Sequence, residues 1–130
     1  GVKDGTIDAI VSDHRPEDRE HKVLEYGQAA FGIVGLETAF AVANTAMKGH
    51  TTLRRLIERF THGPRAVLGL PKVHIAEDTA ADITLFDPEV DWTCTDADLV
   101  SRSHNTPFIG QRLAGRALGV VVGGEMRLGG

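Results

Sequence analysis

The sequence predicts an α/β fold in which this chain is one part of a larger parallel sheet or barrel, followed by part of a small β domain. Three observations predict it. The short apolar run "TIDAIV" (6–11) reads as a buried strand. Apolar residues at helical spacing then fill much of residues 35–71. After Pro71 the pattern turns to β, with "ADITLFDP" (81–88) and "RALGVVVGGEMRLGG" (116–130). One strand cannot form a sheet alone, and a fully apolar strand wants neighbours on both sides. Residues 6–11 have no clear partner in the sequence, so the expected setting is a larger structure. The chain does not begin with methionine, which agrees with its being a piece of something longer.

The elements follow in order. Asp4-Gly5 forms a turn that opens strand 6–11. Residues 12–31 are rich in charge without a sustained period and read as a loop. In "GLETAFAVANTAM" (35–47), Leu36, Phe40, Ala43 and Met47 share one helical face, and Gly49 suits the stop. Thr51 or Thr52 caps the next helix, whose stripe is Leu53, Leu56, Ile57 and Phe60. "THGPRAVLGLP" (61–71) predicts a short third helix, with Pro64 in its first turn. "TDADLVSRS" (95–103) predicts one or two helical turns behind a Thr95 cap. Gly123-Gly124 between "LGVVV" and "EMRL" predicts a two-residue hairpin, with strand 116–128 pairing with 81–86.

Bulk properties exclude several classes. The chain has 130 residues, 42% of them hydrophobic, which supports a core rather than disorder. A net charge of −4 and a pI near 5.8 argue against nucleic acid as a partner. No apolar run approaches the length of a membrane span, and no signal peptide is read at the start. Cys94 is the single cysteine, which excludes an internal disulfide and a cysteine metal cluster. It fits a reducing compartment, and a cytoplasmic location is expected.

The chemistry concentrates in "DAIVSDHRPED" (8–18). Barrels of parallel strands present their active groups at the C-terminal strand ends, and Asp13 stands two residues past Val11. A carboxylate there can bind a metal and shuttle a proton. It can equally cap a turn before Pro16.

"DGTIDAIVSDHRP" (4–16), followed by "FGIVGLETAFAVANT" (31–45), resembles the dihydroorotases of the amidohydrolase superfamily. "LIERFTHGPRAVLGLP" (56–71), "ADITLFDP" (81–88) and "SHNTPFIGQRLAGRALGVVVGGE" (103–125) agree in order and spacing. The resemblance implies the C-terminal fragment of a (β/α)8 TIM-type barrel plus part of a small β domain. Residues 1–70 would supply the last strand and terminal helices, and residues 71–130 the C-terminal part of the side domain. It implies a Zn2+-dependent hydrolase and cyclase that interconverts dihydroorotate and carbamoyl aspartate in pyrimidine synthesis. By the same resemblance, Asp13 contacts the zinc-bound hydroxide and acts as general base and then acid. Phe31 and Gly32 line the substrate ring, and His14 supports Asp13 from behind the metal ligands.

Three departures from the family pattern bear on this. The family's His-x-His ligands, bridging carboxylated lysine and two further histidines come from earlier strands and do not occur here. The six histidines (14, 21, 50, 62, 74 and 104) form no such motif. Three or more protein ligands are normal for catalytic zinc, so this chain alone should not hold one well. Where many members read Asp-His-Ala-Pro-His, with the last histidine on the substrate carboxylate, this chain has Glu17. A carboxylate repels an anionic substrate, so either Arg15 has taken that role or the protein is a degenerate, non-catalytic member. Such members support aspartate transcarbamoylase as partners. An allantoinase- or hydantoinase-like cyclic amidase is a third reading. The last departure is Gly63-Pro64 where Asn-Pro is common, read as a local capping change.

Other features are read structurally. Arg54-Arg55 with Glu58-Arg59 is a solvated helix face. Glu37 suits the dipole of a first helical turn. Trp92 and Phe108 anchor the β part, Cys94 is an inert thiol, and "GVVVGGE" is a hairpin rather than a phosphate loop. An exposed strand edge predicts a homo-oligomer or an exchange of elements between copies.

Overall fold

The computed structural model describes residues 1–129. Four helices precede a three-stranded antiparallel sheet: α1 (Arg19–Lys22), α2 (Ala39–Met47), α3 (Leu53–Phe60), α4 (His62–Val67), β1 (Ile83–Thr93), β2 (Arg112–Val122) and β3 (Glu125–Leu128). The sheet order is β1-β2-β3. A single 3-10 turn, Asp96–Asp98, lies between β1 and β2 behind the expected Thr95 cap.

The helices form where apolar spacing and caps agree. The Thr52 hydroxyl accepts the Arg55 N–H and starts α3, and Leu56 is buried on its inner face. α2 begins at Ala39 rather than Gly35, because residues 36–38 form a turn first. The predicted loop 12–31 contains the one-turn α1, capped by Asp18.

The hairpin forms as predicted. Gly123 and Gly124 take φ of +58° and +81°, the pair of left-handed conformations that matches the twist of two flanking strands. The β1–β2 ladder runs from Ile83↔Val121 to Thr93↔Arg112, further than the sequence suggested. Its register breaks between Asp87 and Asp91, around Pro88, which cannot donate to a ladder.

α2 packs on this break. Asn44 Nδ2 donates to the Pro88 and Ala114 carbonyls, both at 2.9 Å. The Thr45 hydroxyl accepts the Ala114 N–H at 2.8 Å and donates to the Ala41 carbonyl at 2.7 Å. Phe40 meets Phe86 edge-on, with ring centroids 5.0 Å apart. Gly115 is buried with φ of +94°, and a Cβ there would stand 2.8 Å from the Phe40 ring. Ala41, Cys94 and Leu113 form the core beside Trp92 and Phe108, the two expected anchors.

One expectation fails. Residues 6–11 form no ladder among the described residues. Ile10 N–H donates to the Arg59 carbonyl at 2.8 Å, and the neighbouring bridge is the isolated parallel pair His14↔Ile33. The reason is the one that made the strand suspect: nothing in this chain can flank it. Val11 remains 70% exposed, and Val67 and Leu68 of the α4 end also face solvent. Gly63 has more weight than a capping change, since any Cβ there would overlap the Asp8 carbonyl.

Candidate active site

The segment after residue 11 turns sharply. Asp13 takes φ of +42°, one of two non-glycine residues with positive φ among those described. Aspartate tolerates this region better than most residues, and such a conformation persists only where neighbours impose it. The neighbours are His14 and Arg15. His14 Nδ1 accepts the Gly35 and Leu36 N–H groups at 3.1 and 3.3 Å, so the proton of the neutral ring resides on Nε2. Arg15 N–H donates to the Ile33 carbonyl at 2.9 Å. Together these contacts bind the loop of residues 12–17 to the loop of residues 30–36.

The second loop is shaped by glycine. Gly32 has φ of +116°, and the Arg15 stem lies over it: a Cβ would stand 2.5 Å from Arg15 Cβ and 3.2 Å from Cδ. The Gly32 carbonyl accepts from Lys22 Nζ at 2.9 Å and Asn105 Nδ2 at 3.2 Å. Lys22 also holds the Ala30 carbonyl at 2.7 Å. Among the described residues, the Phe31 and Gly32 N–H groups donate to no protein acceptor. Phe31 is 75% exposed, an aromatic face presented outward.

Four residues named from the sequence therefore meet. Arg15 and Gly32 touch, His14 ties the same two loops, and Phe31 flanks Gly32. Asp13 lies at their edge and is exposed. Glu17 contributes its backbone: its N–H donates to Asn105 Oδ1 at 3.1 Å.

Sequence reasoning missed Lys22, Asn105 and the true role of Glu37. Asn105 lies inside "SHNTPF", where no periodicity marks a side chain that reaches back across the chain. Glu37 does not serve a helix dipole. Its Oε1 accepts the Ser101 N–H at 2.8 Å and the Ser101 hydroxyl at 2.6 Å. Burial would raise its pKa, but these hydrogen bonds outweigh burial and hold it below the usual glutamate value. Cys94 is fully buried, and burial, followed by the charges of Asp98 and Asp96, pushes its thiol up.

Among the described residues no three His, Cys, Asp or Glu side chains converge as a metal-holding group. Asp13 is a single candidate ligand. The residues of this chain do not by themselves fit a metal.

The chain is similar to known proteins over most of its length. The chain is 46% identical to a dihydroorotase of Anaeromyxobacter dehalogenans over 127 residues, covering 97% of the chain and 29% of that protein. It is 43% identical to a dihydroorotase of Chlorobaculum tepidum over 92% of the chain and 28% of that protein.

The chain is similar to the dihydroorotases.

It matches a C-terminal portion and spans about three-tenths of the length of these relatives. No protein-family model matches it. Among solved structures, it superposes on dihydropyrimidinase from Brevibacillus agri (TM-score 0.85, 24% identity, 98% of this chain and 29% of that one). L-hydantoinase from Arthrobacter aurescens is similar (TM-score 0.80, 28% identity, 96% and 29%). So is an inactive dihydroorotase-like domain of a Chaetomium thermophilum CAD-like multifunctional protein (TM-score 0.54, 19% identity, 72% and 25%). The chain thus shares its fold with part of these solved structures, covering 29% of the dihydropyrimidinase and L-hydantoinase chains. No helix of the described residues is long and apolar enough to cross a membrane.

Proposed function

We propose that this chain is the C-terminal portion of a zinc-dependent cyclic-amide hydrolase acting on dihydroorotate in de novo pyrimidine synthesis. Residues 1–70 would close its barrel, and residues 71–130 would belong to its side domain. The exposed apolar residues Val11, Val67 and Leu68 would pack against the portion that the relatives carry ahead of this segment. Zinc would need ligands from that portion, and none of the steps assigned to this chain depends on it.

Asp13 is proposed as the proton carrier. As base it takes a proton from the attacking water, and as acid it returns that proton to the ring nitrogen as the C–N bond breaks. Phe31 and Gly32 would meet the substrate ring, with the two free N–H groups available to its carbonyl oxygens. Arg15 would supply positive charge for the substrate carboxylate. The observation that carries the reading is the left-handed Asp13, tied through His14 and Arg15 to a loop with unused N–H groups.

The test is a chimera in which this chain replaces the matching segment of the Anaeromyxobacter dehalogenans dihydroorotase. Turnover of dihydroorotate is expected, and Asp13→Asn should lower kcat by about 10²–10⁴-fold. A variant within tenfold of the parent would remove Asp13 from the chemistry.

Glu17 favours a second reading, a non-catalytic subunit that supports aspartate transcarbamoylase, because a carboxylate near the pocket opposes an anionic substrate. A folded chimera without turnover that still binds the transcarbamoylase would establish it.

A further inference from the structure

We infer that Asn105 is a positioning residue that holds the two loops of the candidate active site as one unit. The inference rests on reading residues 12–17 and 30–36 as that site.

Asn105 comes from the segment between β1 and β2, far along the chain from either loop. Its amide nitrogen donates to the Arg15 carbonyl at 3.0 Å and to the Gly32 carbonyl at 3.2 Å. Its amide oxygen accepts the Glu17 N–H at 3.1 Å. Its backbone carbonyl accepts the Val34 N–H at 3.2 Å. Both donors of the amide are used, one on each loop. A flipped amide would set its oxygen against two carbonyls and its NH2 against an N–H, so only one orientation fits.

No shorter connection does this work. Arg15 N–H to Ile33 O and His14 to Gly35–Leu36 also join the two loops, but through other groups. Asn105 instead fixes the Arg15 and Gly32 carbonyls, which orients the peptide planes next to Phe31 and two residues beyond Asp13. Gly32 O also accepts from Lys22, so it is held from two directions. Small displacements of reacting groups are costly: a shift of about 1 Å far from the chemistry can lower rates by about 10²-fold. Asn105 carries no charge and need not touch the reacting atoms to have this effect.

The test uses the chimera described above, with Asn105→Ala and Asn105→Asp. Aspartate keeps the acceptor for Glu17 and loses both donors, so it isolates the link between loops. Both variants should lower kcat/KM by about 10–100-fold, with KM raised through the Phe31–Gly32 loop and kcat lowered through Asp13. Hydrogen exchange at the Arg15 amide, which bonds across the loops to Ile33, should accelerate at least about tenfold. The Cys94 amide, bonded to Gln111 in the β part, should exchange as in the parent.

Unchanged exchange at Arg15, or kcat/KM within about threefold of an active parent, overturns the inference. Loss of Cys94 protection in both variants overturns it in favour of a general structural role. If the unsubstituted chimera is inactive, or Asp13→Asn leaves it active, the active-site reading fails. Arg15 exchange then decides the clamp alone: acceleration upholds it, and no change removes it.

Discussion

Replacing Gly32 by alanine perturbs the site at its tightest point. The new Cβ would lie 2.5 Å from Arg15 Cβ, an atom fixed to the backbone rather than the free end of a side chain. Arg15 cannot swing away without moving its own peptide, which Ile33 and Asn105 both hold. Two costs follow. A φ of +116° is hard for any residue with a Cβ, at about 1–3 kcal/mol. Overpacking adds about 1–3 kcal/mol. The loop has an escape, which is to open. Opening breaks the Arg15–Ile33 bond and the Lys22 and Asn105 bonds to Gly32. At about 1 kcal/mol net each, that limits the loss to about 3 kcal/mol, a factor of about 10² in the closed population. Gly27→Ala is the control, since nothing lies within 4 Å of its Cβ position. The assay is hydrogen exchange at Arg15 in the chimera, with kcat/KM read alongside. Gly32→Ala should speed exchange by about 30–200-fold and lower kcat/KM similarly, while Gly27→Ala stays near the parent. Equal behaviour of the two variants would refute the steric argument, because only one meets an obstacle.

Two further outcomes follow from the titrating groups. Cys94, fully buried and with its thiol pushed up, should resist a thiol reagent in the folded protein and react fully in denaturant; stoichiometric labelling of the native state contradicts the packing. His21 is raised by its hydrogen bond to the Asp18 carboxylate, and Asp18 is lowered by the His21 N–H and ring. The His21 share of stability is therefore complete below about pH 6.5 and fades as pH rises through its raised value, while the Asp18 share is complete above about pH 4 and fades on acidification. Both groups are exposed, so the effect on stability is small. The sharper readout is an NMR titration, in which Asp18→Asn should return the His21 midpoint toward about 6.5; an unmoved midpoint refutes the pairing.

The legible parts of this chain share one property: their cause is local. Thr52 caps the helix that begins one residue later, and Gly123-Gly124 turns the two strands it joins. Strand 6–11 shows the opposite case. Its apolar sequence records a need for flanking strands, and without them Ile10 bonds to the end of α3 instead. Asp13 stands out in the sequence as a carboxylate two residues past an apolar run, but its positive φ of +42° has no such local signal. Lys22, Asn105 and the Glu37–Ser101 link were not legible, since hydrogen bonds spanning up to 90 residues leave no period and no spacing rule.

These distant contacts also change what the division near residue 70 means. The sequence changes from helical to β period there, and on that ground the two parts read as separate. The hydrogen bonds run across it. Asn105 reaches the loops of residues 12–17 and 30–36, Ser101 binds Glu37, and Asn44 of α2 binds the carbonyls of Pro88 and Ala114. The segment between β1 and β2 thus buttresses the loops that present Asp13 and Gly32. On this geometry, a change in the β part that leaves Asp13, Phe31 and Gly32 untouched still reaches them, by loosening the peptides on which they are mounted.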